Sequence, residues 1–191
     1  MRHPTFTSSS RWNLRPAPRG LCLPQELLNT KSVGLRFRDM LETTAVANDW
    51  SKAALKLWSQ QTGQVDPQIR IEGGDLMQLR KVRAQCNSWL DGRTDTFDGA
   101  GESVSVGLAK DGVLHYHPTA GGARGLASLI TLELLLAAQT GMLIRLKTCA
   151  APECRVAFFD ESRNSSRKWH DTRTCGNAAN LKASRARRRL L

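Results

Sequence analysis

Apolar residues recur at helical spacing in three long segments of the chain. Residues 39–61 carry apolar side chains three or four positions apart, and Gly63 and Pro67 follow as typical helix stop signals. Residues 75–90 repeat this pattern. Residues 124–141 are apolar on nearly every face, which predicts a helix buried centrally or at a subunit interface. The pattern therefore predicts three helices of ordinary length.

A different pattern lies between the last two of these helices. Residues 103–109 and 113–117 alternate between apolar and polar positions, as half-buried strands do. Asp111 and Gly112 between them are a common turn pair in β-hairpins. We expect a mainly helical α+β domain over residues 21–144 with one small hairpin.

The first twenty residues have no such pattern. Residues 1–20 are rich in Arg, Ser and Pro and contain no acidic residue. Their composition resembles a mitochondrial transit peptide, but Pro16 and Pro18 would break an amphipathic helix. We therefore predict a disordered basic tail.

The net positive charge is concentrated at the two ends of the chain. The 191 residues include 28 Lys and Arg against 17 Asp and Glu, a net charge of +11. Most of the excess lies in residues 145–191, which hold 12 basic and 4 acidic residues. Such an excess predicts a polyanionic partner, although a solvated basic tail that only keeps the protein soluble would have the same composition.

The five cysteines and the longest apolar run bear on location. An odd cysteine count without a secretory signal argues for a reducing compartment, and we expect a cytoplasmic protein, associated with the nucleoid if it binds DNA. Residues 126–142 are interrupted by Glu133 and are shorter than the roughly 20 residues that span a bilayer, so no membrane partner is expected.

Three cysteines and a histidine near the C-terminus have the spacing of metal ligands. Cys149, Cys154, His170 and Cys175 form a C-x4-C-x15-H-x4-C pattern. Three thiolates and one imidazole are a closed tetrahedral set for one structural Zn²⁺, and thiolates argue against magnesium, calcium or manganese. The alternative, that the cysteines are merely buried apolar residues, is disfavoured because the surrounding segment is polar and basic.

The residues between and after these ligands fit a small zinc module. Residues 156–159 predict a short strand, residues 162–169 a helical turn that ends at His170, and residues 178–189 a basic helix that begins near Cys175. A segment this short buries too little apolar area to fold alone, so zinc would supply most of its folding free energy, on the order of 10 kcal/mol. We predict a treble-clef-like module over residues 145–191.

This C-terminal segment resembles the CGNR zinc finger family. The resemblance rests on the ligand pattern and on Phe158, Asp160, Ser162, Arg163, Asn164, Trp169, Cys175, Gly176 and Asn177. Two positions depart from the family pattern: His170 stands where the family usually has a cysteine, and Ala178 replaces the arginine that completes the signature. The sequence LLNT at residues 27–30, followed by paired helices, resembles the ABATE-type domain that usually precedes this finger.

The resemblance implies a stress-linked transcription regulator that binds DNA, with the N-terminal domain sensing a ligand or forming a homodimer. RNA or an acidic protein is the alternative partner for the basic finger. Guanidinium and ammonium groups on and beside the finger are the candidate nucleic-acid contacts, together with one asparagine. These candidates are Arg163, Arg167, Lys168, Asn177, Lys182, Arg185, Arg187, Arg188 and Arg189.

Catalysis is not expected. His115 and His117 fall two apart in the second predicted strand and could form half of a metal site, but the sequence offers no third ligand nearby. No Ser-His-Asp order, P-loop or paired carboxylates accompany them. We therefore predict a protein that is not an enzyme and that has no catalytic residues.

Overall fold

A computed structural model describes residues 7–32, 37–98 and 103–188, which contain five α-helices and two short β-hairpins. The elements in chain order are α1 (Cys22–Leu28), α2 (Thr44–Thr62), α3 (Gly73–Leu90), β1 (Val104–Leu108), β2 (Leu114–Pro118), α4 (Gly122–Gln139), β3 (Leu146–Thr148), β4 (Ala157–Phe159) and α5 (Asn177–Arg188). This mixture of helices and small hairpins, with a C-terminal Cys/His cluster that fits a zinc module, confirms the predicted fold class.

The three predicted long helices are present with slightly shifted ends. The hydroxyl of Thr43 caps α2 by accepting a hydrogen bond from the backbone N–H of Val46 at 3.3 Å. Glu72 and Asp75 form a reciprocal capping box at the start of α3. The Thr43 cap explains why α2 begins five residues later than the apolar pattern alone suggests.

The predicted hairpin is also present. β1 and β2 pair antiparallel, with Val104 opposite Pro118 and Leu108 opposite Leu114. Tyr116 is the inward-facing residue of β2 and is buried. A second two-stranded sheet pairs β3 with β4, with Leu146 opposite Phe159.

A short helix that the apolar pattern did not reveal lies at the centre of the core. All seven residues of α1 are buried, and α1 packs against α2, α3 and α4. Its sequence contains Pro24, Gln25 and Glu26, so it lacks the one-sided apolar stripe by which a surface helix is recognised. Because α1 is enclosed on all sides, its polar side chains are stabilised by specific hydrogen bonds within the protein.

The prediction of a disordered tail over residues 1–20 is wrong for the part that the structure describes. Residues 7–21, here called the N-terminal strap, contain two 3₁₀ turns and cross the surface of α1. The backbone N–H groups of Ser8 and Ser9 donate to the fully buried carboxylate of Glu26 at 2.6 and 3.1 Å. A carboxylate that accepts backbone hydrogen bonds orders a segment without any apolar periodicity.

The prediction of a helical turn over residues 162–169 is also wrong. Residues 162–165 form a tight turn closed by a hydrogen bond from Ser165 N–H to the Ser162 carbonyl at 3.2 Å, and no helix follows before His170. The buried carboxylate of Asp160 accepts hydrogen bonds from the N–H groups of Ser162 and Arg167. These N–H groups bond to a side chain, so they do not enter a helical ladder.

The C-terminal hairpin is packed onto the N-terminal helices. The side chain of Asn29, directly after α1, accepts a hydrogen bond from Ala157 N–H at 2.8 Å and donates one to the Ala157 carbonyl at 2.9 Å. On the other side, Asp91 at the end of α3 accepts from the hydroxyl of Thr148 at 2.6 Å and pairs with Arg155. The β3–β4 hairpin is therefore held at both edges.

No helix within the described ranges is both long enough and apolar enough to cross a membrane.

Candidate metal centre

The first two predicted ligands lie in the connection between β3 and β4. Cys149 N–H donates to the Val156 carbonyl at 2.8 Å, which continues the strand pairing, and Cys154 N–H donates to the Ala151 carbonyl at 2.9 Å, which closes a tight turn. Arg155 follows with a left-handed backbone (φ 55°). This turn brings both thiol groups to the same side of the hairpin.

The other two ligands approach from the segment after the hairpin. The side chain of Asp171 accepts hydrogen bonds from Arg173 N–H at 2.8 Å and from the Thr174 hydroxyl at 3.1 Å, and its carbonyl accepts from Cys175 N–H at 3.0 Å. A turn of π-helix results, Thr172–Gly176, which leads directly into α5. Cys175 thus lies immediately before a helix, the position predicted for a treble-clef-like module.

Gly176 is favoured by close packing in this turn. A Cβ atom at this position would lie 3.2 Å from the indole ring of Trp169 and 3.1 Å from the methyl group of Thr172. Both contacts are tighter than ordinary van der Waals distances. Glycine after the last ligand therefore lets the Cys175 turn lie against Trp169.

The four predicted ligand atoms meet at one point. All lie within 4.8 Å of one another, and His170 Nδ1 lies 3.3 Å from Cys154 Sγ and 3.7 Å from Cys175 Sγ. Zinc–sulfur and zinc–nitrogen bonds of ordinary length in a tetrahedron place such ligand atoms about 3.6 Å apart. The donor set and its spacing therefore fit one structural zinc ion, with His170 contributing Nδ1.

The electrostatics of the cluster favour the thiolate form of Cys149. The pKa of the Cys149 thiol is lowered to about 3, chiefly by its hydrogen bond with Cys154 and further by His170. Cys154, its hydrogen-bond partner, has a raised pKa for the same reason, so metal binding would release its proton. Lys31 donates to the Arg155 carbonyl beside the cluster, and burial lowers the pKa of this lysine to about 8.

A buried carboxylate supports the loop that carries His170. Asp160 is fully buried, and its carboxylate accepts from Lys147 Nζ at 2.7 Å and from Arg167 N–H at 2.8 Å. Burial alone would raise the pKa of Asp160. These hydrogen bonds, together with the one from Ser162, instead lower this pKa well below its usual range. Arg145 donates to the carbonyls of Asp160 and Ser162 on the other side.

The N-terminal strap completes the surroundings of the cluster. The indole ring of Trp12 lies edge-on to the His170 imidazole, with ring centroids 6.0 Å apart, and packs in the same apolar cluster as Cys149 and Phe158. Sequence reasoning missed this contact because nothing in the strap's pattern indicates burial. A lone tryptophan in a polar segment was the available signal.

The candidate nucleic-acid residues divide into exposed and engaged groups. Arg167 is already engaged, because its guanidinium donates to the His170 carbonyl at 2.6 Å and lies over the ring of Phe158. Arg189 lies outside the described residues. The remaining candidates are exposed: Arg163, Lys168, Asn177, Lys182, Arg185, Arg187 and Arg188.

One further exposed cation belongs with this group. Arg173 lies in the π-helical turn between His170 and Cys175 and is exposed. Its position between the last two ligands was a usable sequence signal. Together with α5 it places the exposed positive charge directly beside the zinc ligands.

Among the described residues, the histidine pair in β2 joins no group of three or more potential metal ligands. His115 and His117 are both exposed, on the face opposite buried Tyr116. Within the described ranges, the group of Cys, His, Asp and Glu side chains that could hold a metal ion consists of Cys149, Cys154, His170 and Cys175.

The C-terminal segment matches a known zinc-binding family. Residues 145–188 match the family model of the CGNR zinc finger. A comparison with curated proteins finds no match to the chain. The family match and the geometry of the four ligands together identify a zinc finger that binds one structural zinc ion.

Proposed function

We propose that this protein is a DNA-binding transcription regulator whose zinc finger holds the DNA. The observation that carries the proposal is the cluster of exposed cations around the zinc ligands. In the described part of the chain, none of these side chains forms an ion pair with a carboxylate: Arg163, Lys168, Arg173, Lys182, Arg185, Arg187 and Arg188. Seven cations without internal partners are a surface suited to phosphate groups.

Helix α5 is the element that we expect to contact DNA. It packs chiefly against the π-helical turn before it and leaves Asn177, Lys182, Arg185 and Arg188 exposed. A helix of this kind can lie in or along a groove and donate to phosphates and base edges. Ala178 removes the arginine of the family signature, and the basic residues at the end of α5 supply positive charge on the same helix.

The N-terminal helices are proposed to regulate the finger in response to a ligand, in line with their resemblance to an ABATE-type domain and its stress-linked role. Two segments of the chain connect the N-terminal helices to the finger. The chain runs from α4 through the turn Leu143–Arg145 into β3, where Arg145 binds the Asp160 loop. The N-terminal strap likewise runs from α1 to Trp12 at the zinc ligands. A change in packing of the N-terminal helices would therefore reach the finger through two separate segments.

We further propose that the zinc is structural and that the protein is not an enzyme. Catalytic zinc keeps an open coordination position for water or substrate. Here three thiol groups and one imidazole converge on the site. With four protein ligands, no position is left for a reacting molecule.

Fluorescence anisotropy with labelled duplex DNA tests the proposal. The test variant is Lys182→Gln/Arg185→Gln/Arg188→Gln, and the matched control removes three exposed cations outside the finger, Lys52→Gln/Lys56→Gln/Arg70→Gln. The zinc-loaded protein is titrated between about 50 and 200 mM salt, where each phosphate contact contributes close to one unit of slope in log K against log salt.

We expect the wild-type affinity to fall steeply with salt, the α5 variant to lose about two to three units of that slope, and the control to keep it. A chelator that removes zinc should abolish the part of the DNA binding that depends on the folded finger. Equal losses of slope in both variants would mean that the interaction depends only on the net charge of the protein. Tighter binding to single-stranded RNA than to duplex DNA would reassign the partner, and no binding to either would leave an acidic protein as the candidate.

A further inference from the structure

A cleft of about 460 Å³ opens in the N-terminal part of the protein, away from the zinc ligands. Its walls are the turn Arg19–Leu21, the end of α2, the β1–β2 hairpin and the second half of α4. Its lining is mostly apolar and includes Leu21, Leu114 and Leu136. This volume and lining are typical of sites for small organic molecules.

An acidic side chain forms part of the wall of this cleft. Glu133 projects from the middle of α4 and is only 4% exposed. Its Oε1 accepts two hydrogen bonds, from Trp58 Nε1 and from the Tyr116 hydroxyl, both at 2.5 Å. Because both donors use one oxygen, they fix the orientation of the carboxylate, and within the described ranges no hydrogen bond is made to its second oxygen.

The second oxygen, Oε2, lies against the backbone of Gly20. A Cβ atom at residue 20 would stand 1.5 Å from Oε2, so only glycine allows the carboxylate to occupy this position. Gly20 and Glu133 both line the cleft. Within the described ranges no Lys, Arg or His forms an ion pair with Glu133, and Arg19, which also lines the cleft, is exposed.

An acidic group buried without a cation is costly, and proteins usually place one beside it. The N-terminal part of this protein has instead fixed the carboxyl group with two neutral donors and left room next to it. An apolar cleft with one anchored acidic oxygen suits a ligand that is positively charged at one end and apolar at the other.

We propose that this cleft binds a small organic amine, whose ammonium group pairs with Glu133 and whose apolar part lies along Leu21, Leu114 and Leu136. This inference deepens the proposed function, on which it rests, by naming the class of ligand to which the regulator responds. Glu133 and Gly20 lie on the two segments that lead to the finger, α4 and the N-terminal strap. An amine bound in the cleft beside both residues is therefore placed to alter both segments.

Isothermal titration calorimetry of the full-length, zinc-loaded protein tests the site. The probes are benzylamine and hexylamine, with benzyl alcohol and hexanoate as neutral and anionic controls of similar size. The test variant is Glu133→Gln, which keeps an oxygen acceptor for Trp58 and Tyr116 and removes the charge. The control variant is Glu42→Gln, which removes an exposed carboxylate outside the cleft.

We expect at least one amine to bind, the alcohol and the carboxylate of the same size to bind about tenfold more weakly or not at all, and Glu133→Gln to lower the amine affinity about tenfold or more. Glu42→Gln should bind amines as the wild type does. Amine affinity that is unchanged in Glu133→Gln, preferential binding of hexanoate, or no heat from either amine would each overturn the proposal. Because the calorimetry contains no DNA, its failure is distinct from a failure of DNA binding in the anisotropy experiment.

Discussion

Two acidic residues of the finger fix the loops that carry the zinc ligands. Asp160 fixes the loop before His170 while remaining completely buried, and Asp171 fixes the turn that presents Cys175. These acidic residues resemble surface charges in the sequence. In the structure their oxygens accept backbone hydrogen bonds, so they determine local conformation.

Removing one ligand should release the metal without unfolding the N-terminal helices. We expect Cys154→Ala to lower zinc content from one ion per chain toward zero, because three remaining ligands bind zinc far more weakly than four. Zinc per chain is measured by mass spectrometry under native conditions, and helical content by circular dichroism. Cys86→Ala, which changes a buried cysteine of α3, is the control and should keep its zinc. Unchanged zinc in Cys154→Ala would refute the ligand assignment.

Asp160→Asn should destabilise the protein by about 2 to 4 kcal/mol in urea unfolding of the zinc-loaded protein. The substitution leaves the Lys147 ammonium group without its anionic partner and replaces an oxygen acceptor by a donor that faces N–H groups. Glu161→Gln is the matched control, because Glu161 is exposed and its contact with Arg15 is 4.0 Å long. Since exposed ion pairs contribute little, this control should change stability by less than about 0.5 kcal/mol. Equal effects of the two substitutions would mean that Asp160 does not organise the loop.

At the scale of elements, the finger depends on strands that are completed by side chains from elsewhere. β4 pairs with β3 on one edge, and the amide of Asn29 satisfies both backbone groups of Ala157 on the other. A single side chain thus acts as the neighbouring strand would. The finger and the N-terminal helices share this contact, as well as the contacts of Asp91 with β3 and Arg155.

Asn29→Asp should loosen the finger from the N-terminal helices. The carboxylate can still accept from Ala157 N–H, but it places an oxygen against the Ala157 carbonyl and removes a donor, at a cost of about 2 to 3 kcal/mol. We expect zinc transfer to a chromogenic chelator to become at least about tenfold faster, because opening of the β3–β4 hairpin precedes metal loss.

Asn164→Asp introduces the same chemical change at an exposed position of the finger and is the control for Asn29→Asp. It should leave the rate of zinc transfer close to that of the wild type. If both variants release zinc at the wild-type rate, the finger is stable without its contact to α1, and the N-terminal helices cannot act on it through Asn29.

At the scale of the whole molecule, the features that the sequence predicts are those with a local cause. The zinc ligands follow from the spacing of Cys149, Cys154, His170 and Cys175, and α2 and α4 follow from apolar periodicity. The N-terminal strap could not be predicted, because Ser8 is ordered by Glu26, which lies 18 residues away. In the sequence Glu133 is only an interruption of an apolar run, since its partner Trp58 is 75 residues distant and its role depends on the assembled cleft.

Glu133 also makes the stability of the whole protein depend on pH. Burial raises the pKa of Glu133, and the hydrogen bonds from Tyr116 and Trp58 offset this only in part. The folded protein therefore holds this proton at pH values where the unfolded chain, with a glutamate pKa near about 4.3, has lost it. The contribution of Glu133 to folding stability therefore falls as pH rises from about 4.3 through the raised pKa, by at most about 1.4 kcal/mol per pH unit.

Glu133→Gln should remove this dependence, so the difference in free energy of unfolding between the variant and the wild type should grow in favour of the variant as pH rises above about 4.3 and then level off. Tyr116 and Cys22, the other titratable groups that face Glu133, have pKa values raised by burial far above neutral and keep their protons throughout. Urea unfolding of both proteins at matched zinc occupancy measures the difference, in which the titration of the shared zinc ligands cancels. If the difference does not change with pH, Glu133 is ionised to the same extent in the folded and unfolded protein. An amine that binds the cleft should reduce this difference, since pairing with the ammonium group stabilises the ionised carboxylate in the folded state.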